Sequence, residues 1–232
     1  MDVKEQILEH AKQEYPNECC GVVIIFKGKE RYHPCKNLAT EADDNFILSP
    51  VDYAEAEDKG EIIKIVHSHP ASNPEPSQAD LVGIERSGLP WVIVNPLTGS
   101  FTESEPSGYQ APLIGRRFVH GVLDCYALIK DYYETILEID IPDFDRENYW
   151  WEKGQNLYVD NFQKAGFHRV DDLREHDGII IMSGSSTPNH AGVYIGDNKI
   201  LHHVQHRLSS RDVYGGYWLK NTWAVVRHEM FL

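Results

Sequence analysis

His67-Ser68-His69-Pro70 closes a strand-like run and is followed by Ser77 and Asp80. Side chains two apart on a strand face the same way, so His67 and His69 present two imidazoles to one point. Asp80, at the start of the next expected helix, closes a set of three. Two histidines and a carboxylate suit zinc and leave its fourth position to water, the pattern of a catalytic site. Zinc lowers the pKa of that water towards neutrality, and a base must take the proton. Glu18, at the entry to a strand, is the candidate base. Ser77 is a candidate donor to a developing oxyanion. Singly, each histidine reads as an exposed strand end and Asp80 as a helix cap; the joint pattern points to a metal.

A second set lies further along. Cys125 follows Asp124 and opens a helix-forming run, so the positive end of the helix dipole is expected to favour its thiolate, the nucleophilic form. Such a nucleophile needs a histidine base and a group to orient it. His190 opens a strand, His202 closes the next, and a turn near Gly196-Asp197-Asn198 brings the two together as a hairpin. Cys125 is the candidate nucleophile, His190 the base and His202 the orienting group. The backbone N–H of Cys125 is a candidate oxyanion donor. A lone cysteine before a helix is more often a packing residue; the paired histidines argue otherwise here. His203 and His206 read as solvent-exposed.

The elements that must position these groups follow from periodicity and turn signals. Helices are expected over 3–15, 50–59 (capped by Ser49, with Pro50 in its first turn), 77–87, 124–138 and 156–165. Strands are expected over 21–26, 31–34, 61–69, 91–94, 178–182, 191–195, 199–203 and 223–227. The polar stretch 103–112, with two prolines and a glycine, reads as a linker. The fold expected is α+β (mixed α/β) in two domains, 1–104 and 113–232.

Composition narrows the partners. The chain has 232 residues and a formal net charge of −14, which disfavours nucleic acid and anionic membrane surfaces. No apolar run approaches the roughly 20 residues that span a bilayer, so no membrane insertion is expected. The N-terminus lacks the basic-then-apolar pattern of a secretory signal, so synthesis and folding are expected in a cytoplasm. The four cysteines, Cys19, Cys20, Cys35 and Cys125, are expected as free thiols.

The first set resembles the JAMM (MPN) metallopeptidases, whose signature is matched by Glu18, His67-Ser68-His69-Pro70, Ser77 and Asp80 over roughly residues 1–100. The resemblance implies His67, His69 and Asp80 as zinc ligands, Glu18 as catalytic and Ser77 in an oxyanion role. Cys19 and Cys20 are expected to pack, not to ligate. The second set resembles the NlpC-type cysteine peptidases, with a papain-like fold, through Asp124-Cys125, His190-Ala191-Gly192-Val193-Tyr194-Ile195-Gly196 and His202. Tyr126-Ala127 departs from the smaller pairs usual after the cysteine in wall hydrolases.

The two together are similar to tail-tip proteins of long-tailed phages. That resemblance implies a peptidase acting on host peptidoglycan peptides, on a tail protein, or on both. Its partners would be other phage tail tip proteins. Its location would be the host cytoplasm during assembly and the virion tail tip afterwards. Two alternatives remain: a non-catalytic structural hub of the tail tip, and a cellular JAMM isopeptidase processing ubiquitin-like proteins.

Overall fold

The computed structural model describes residues 2–232. They form two compact units, one ending at Gln110 and the other starting at Ala111. Both mix helices with a sheet, as expected.

The first unit runs α1 (Val3–Glu14), β1 (Cys20–Phe26), β2 (Lys29–Cys35), α2 (Pro50–Lys59), β3 (Glu61–Ser68), α3 (Gln78–Ser87), β4 (Trp91–Val94) and β5 (Phe101–Ser104). The strands form a sheet ordered β2-β1-β3-β4-β5. Strand alternation sends Val23, Val66, Val92 and Val94 to one face, where they bury Ile7 and Ala11 of α1. Val22, Ile24 and Ile65 go to the other face with Ala56 of α2 and Ile84 of α3. Only β3 and β4 run parallel. A parallel pair requires a crossover, and α3 supplies it. The crossover returns the chain past the end of β3, which is what brings Asp80 to His67. Asp2 and Ser77 both form capping boxes that fix where α1 and α3 begin.

The second unit runs α4 (Cys125–Leu137), α5 (Leu157–Asn161), β6 (Phe167–Val170), β7 (Gly178–Ile181), β8 (His190–Tyr194), β9 (Lys199–His202), β10 (Ser210–Val213), α6 (Gly216–Lys220) and β11 (Thr222–His228). Its sheet is ordered β10-β9-β8-β7-β11-β6, with every pairing antiparallel. Leu128, Ile129, Tyr132 and Tyr133 of α4 pack on the face carrying Ala191, Val193 and Leu201. Ile179, Ile181 and Ile200 face the other way, against Tyr214 and Trp218. Both faces of this sheet are therefore covered.

The elements differ from expectation in detail. The helix expected over 156–165 is only Leu157–Asn161, and β5, β6 and β10 were not anticipated. Glu103 and Ser104, expected in the linker, end β5, and Glu103 pairs with Lys64 at 2.9 Å. The rest of the linker is tied on each side. Glu85 accepts from the N–H groups of Ser107 (2.6 Å) and Tyr109 (3.0 Å). Arg116 donates to the carbonyls of Ala111 (2.8 Å) and Pro112 (2.5 Å). Exposed Gln110 lies between these ties. Limited proteolysis of the native protein is expected to cut first around Gln110. Protection of the whole stretch 105–112, read by fragment masses, would sink the proposed domains 1–104 and 113–232.

Two candidate active sites

The first site sits where β3 ends. His67 and His69 lie two residues apart, with Nε2 atoms 3.0 Å from each other. Asp80 completes the cluster, with Oδ1 3.2 Å from His67 Nε2 and Oδ2 3.3 Å from His69 Nε2. All three residues are buried, and they are the metal-capable group among the described residues. His69 Nδ1–H donates to the carbonyl of Asn73 at 3.0 Å, which leaves the lone pair on Nε2. Neighbouring ligands of a tetrahedral zinc at ~2 Å stand about 3.3 Å apart. The three separations fit that demand, so the residues suit a divalent cation.

The surrounding structure explains how distant residues arrive here. Ser68, between the two histidines, exchanges hydrogen bonds with Cys19: its Oγ accepts from Cys19 N–H at 2.8 Å and its N–H donates to the Cys19 carbonyl at 3.1 Å. Glu18 is carried to the site by that clamp. Asn37 holds the Glu18 carbonyl at 3.0 Å, and Asn95 holds the carbonyls of His69 (3.1 Å) and Ser72 (2.7 Å). Phe46 stacks on the His67 ring at 4.5 Å. Ser77 and Asp80 cap one another, Ser77 N–H to Asp80 Oδ2 at 2.7 Å and Asp80 N–H to Ser77 Oγ at 3.1 Å. The Ser77 hydroxyl accepts that bond, so its proton stays available to donate. Cys19 packs in the apolar core, and Cys20 and Cys35 are buried and free.

Charge at this site is uneven. Burial pushes Glu18 up to about 8, with Asp80, Asp44 and Asp43 adding to the rise and His69 opposing it. Burial lowers His67, partly offset by Asp80. Burial also works against protonated His69, but Asp80 and the Asn73 carbonyl outweigh it and leave its pKa raised. Asp80 is held well below the carboxylate range: its burial is outweighed by hydrogen bonds from His67 and His69. Positive charge at the three-ligand point would favour the Glu18 carboxylate.

The second site is a cavity of about 330 Å3 lined by Cys125, His190, Tyr158 and His203 among aromatic walls that include Phe118, Tyr126, Phe144, Trp150 and Trp151. Asp124 caps α4 through Ala127 N–H at 2.9 Å and places Cys125 as its first residue. Arg146 Nε donates to Asp124 at 2.9 Å, as does the N–H of Gly121. Burial alone would raise Asp124, but Arg146 and these N–H donors hold it below the usual range. The Cys125 thiol lies 3.1 Å from the Tyr158 hydroxyl. His190 Nε2 lies 3.0 Å from His202 Nδ1 across the β8–β9 hairpin. The register sets Gly192 opposite His202, and a Cβ at 192 would stand 2.8 Å from that of His202 and 2.7 Å from the Leu201 carbonyl oxygen.

Two expectations need correction. Cys125 does not favour its thiolate: burial, and then the Asp124 carboxylate, push the thiol up to about 11. His190 is driven down to about 3 by burial and by neighbouring His202 and His203. The pair therefore rests as thiol and neutral imidazole. His203 is fully buried, not exposed, in edge contact with Phe118 at 5.1 Å. His206 is exposed, as expected. Tyr158, Arg146, Asn37 and Asn95 were not anticipated, because no local spacing marks them.

The buried histidines set an acid limit on stability. Burial and nearby Arg116 push His203 down to about 4. His190 and His203 stay neutral in the folded protein, while their unfolded counterparts protonate near 6.5. Below that value the unfolded state binds more protons, so stability falls as pH drops from about 6.5 towards 4. The melting temperature is expected to fall between pH 7 and pH 5, and less steeply in His203→Phe. A flat profile contradicts the assignment.

Comparison with known proteins agrees with this two-part organisation. Residues 1–105 match prokaryotic homologs of the JAB domain, and residues 115–227 match the NlpC/P60 family. The chain is 40% identical over 228 residues to tail tip assembly protein K of Escherichia phage N15, covering 97% of this chain and 93% of that one. It is 42% identical over 183 residues to tail tip assembly protein K of Escherichia phage lambda, covering 78% of this chain and 89% of that one. A desampylase of Haloferax volcanii is 32% identical over 119 residues, 46% of this chain and 85% of that one. No helix among the described residues is long and apolar enough to cross a membrane. With its length and both sites spanned by such relatives, the chain belongs to the tail tip assembly protein K family, a JAB-type domain followed by an NlpC/P60 domain.

Proposed function

We propose that the protein is a two-site peptidase of a phage tail tip, cutting peptide bonds of host peptidoglycan, of a tail protein, or of both. The observation that carries this reading is that each unit holds its own reactive groups: His67, His69 and Asp80 clustered in one, and in the other Cys125 and His190 lining one cavity, with His190 backed by His202. A non-catalytic hub has no use for either. Its partners would be neighbouring tail tip proteins, met in the host cytoplasm during assembly and in the virion tail tip.

In the thiol site, His190 takes the Cys125 proton as the sulfur attacks the carbonyl carbon, because the resting pair is neutral. The imidazolium then protonates the leaving amine, and water releases the acyl group from the thioester. The Cys125 N–H and the Tyr158 hydroxyl, 3.1 Å from the thiol, would donate to the oxyanion. In the first site, His67, His69 and Asp80 would hold zinc, which supplies a Lewis acid and an acidified water. With positive charge at that point keeping it ionised, Glu18 would take a proton from the attacking water and pass it to the leaving amine, and Ser77 would donate to the oxyanion. The test is mass spectrometry of wall peptides and of neighbouring tail proteins incubated with wild type, Cys125→Ala and Glu18→Gln. Identical products from all three would favour the structural hub.

A further inference from the structure

His202 ends β9 with its ring fully buried. Its Nδ1 faces His190, and its Nε2 lies 3.2 Å from Oδ2 of Asp212 on the neighbouring edge strand β10. That nitrogen makes no hydrogen bond of good geometry among the described residues, and the Asp212 carboxylate is the charged group beside it. The pairing register explains the approach: Ser210 sits opposite His202, and Asp212, two residues on, returns to the same face. Ser210 Oγ donates to Asp212 Oδ1 at 3.0 Å, and Arg207 Nη2 lies 3.2 Å from Oδ2. These contacts fix the carboxylate on the far side of His202 from the cleft.

We propose that Asp212 is a positioning residue that sets, through His202, which nitrogen of His190 carries the proton. The inference rests on the proposed thiol site. An ionised carboxylate can only accept, so His202 must turn an N–H towards it and carry that proton on Nε2. His202 Nδ1 is then a lone pair, and His190 must donate Nε2–H to it. The remaining nitrogen of His190, Nδ1, is left as the base on the cleft that Cys125 lines. The opposite arrangement would aim a lone pair of His202 at the Asp212 carboxylate and would put a proton on His190 Nδ1, where it cannot accept from a thiol. Three side chains on three adjacent strands thus hold one ring nitrogen free.

The test uses the full chain and needs no substrate. Histidine 15N labelling reports the tautomer of each ring, with His190 and His202 assigned by their own substitutions. The rate of Cys125 alkylation by iodoacetamide, read by mass spectrometry, reports thiol activation; the other cysteines are buried. Wild type is expected to show both rings protonated on Nε2. Asp212→Ala is expected to mix the tautomers and slow alkylation roughly tenfold, the lower end of what losing an outer hydrogen-bond partner costs at metal-bound histidines. Unchanged tautomers and rate in Asp212→Ala, with a slowed His190→Ala, would overturn the inference and leave the thiol pair standing. An unslowed His190→Ala would overturn both. Should Asp212→Ala fail to fold, the wild-type spectrum still decides, because His202 protonated on Nδ1 excludes the arrangement.

Discussion

Cys125→Ala is expected to abolish cleavage of the substrate of the second site, a loss of at least about 10⁴-fold, because no other group there can form the acyl intermediate. His190→Ala should come close to the same loss. His202→Ala should retain more, since it acts on His190 rather than on the substrate. Zinc chelation should leave this activity unchanged and so separate it from the first site. The pH profile carries a sharper test. With His190 driven down to about 3 and the thiol up to about 11, the base-competent pair spans neutral pH. The acid limb of kcat/KM is expected well below the pH 6–7 of an ordinary histidine. An acid limb near 6.5 would show that His190 is more solvated than its burial implies. Retained cleavage in Cys125→Ala, on wall peptides and tail proteins alike, would remove the thiol reading altogether.

Metal removal is the second large effect. The protein is expected to carry about one equivalent of zinc by elemental analysis, and His67→Ala or Asp80→Ala should lose it. An ion bound only to the folded state at a hundred times its Kd stabilises by about 2.7 kcal/mol. For a unit of this size that corresponds to a shift in Tm of roughly 10 °C or more. Chelation should therefore lower the Tm of the unit that holds His67, His69 and Asp80 while leaving Cys125 alkylation unaffected. Glu18→Gln should keep the metal and lose turnover, which separates a base from a ligand. Metal-free protein from zinc-containing medium without chelator would count against the site.

The residues legible in the sequence are those whose geometry is local. His67 and His69 share a face by strand alternation, and Asp80 is fixed by a capping box whose residues lie three apart. Cys125 at a helix start and the hairpin joining His190 to His202 were legible for the same reason. Glu18 was legible at the entry to a strand, but the Cys19–Ser68 clamp that carries it to the histidines was not, because its two residues lie far apart in the chain. His203 was misread because alternation turns it away from His202, and on most hairpins one of the two faces is wet. Here both faces are covered, by α4 on one side and by Tyr214 and Trp218 on the other. The strand β10, Ser-Arg-Asp-Val, is short, polar and half-exposed, so nothing in its composition separates it from a loop. Asp212 was hidden with it. The thiol was misjudged because the helix dipole is visible in a sequence, whereas burial and the electrostatic effect of a buried Asp124 appear only once the chain is folded.

Gly192 gives the thiol site an unusual kind of tolerance. The seam between β8 and β9 is held shut at a position that contributes no functional group, only the room left by a missing methyl. Two different physical limits then govern change in this unit. The aromatic walls of the cavity answer to volume, and exchanging Phe144 or Trp151 for another bulky residue reshapes what fits without disturbing the seam. The spacing of the two histidines answers to the width of a hydrogen-bonded strand pair, which does not stretch by fractions of an ångström to suit a guest. A cleft built this way can change its diet by altering its walls while the two strands that hold its histidines stay fixed.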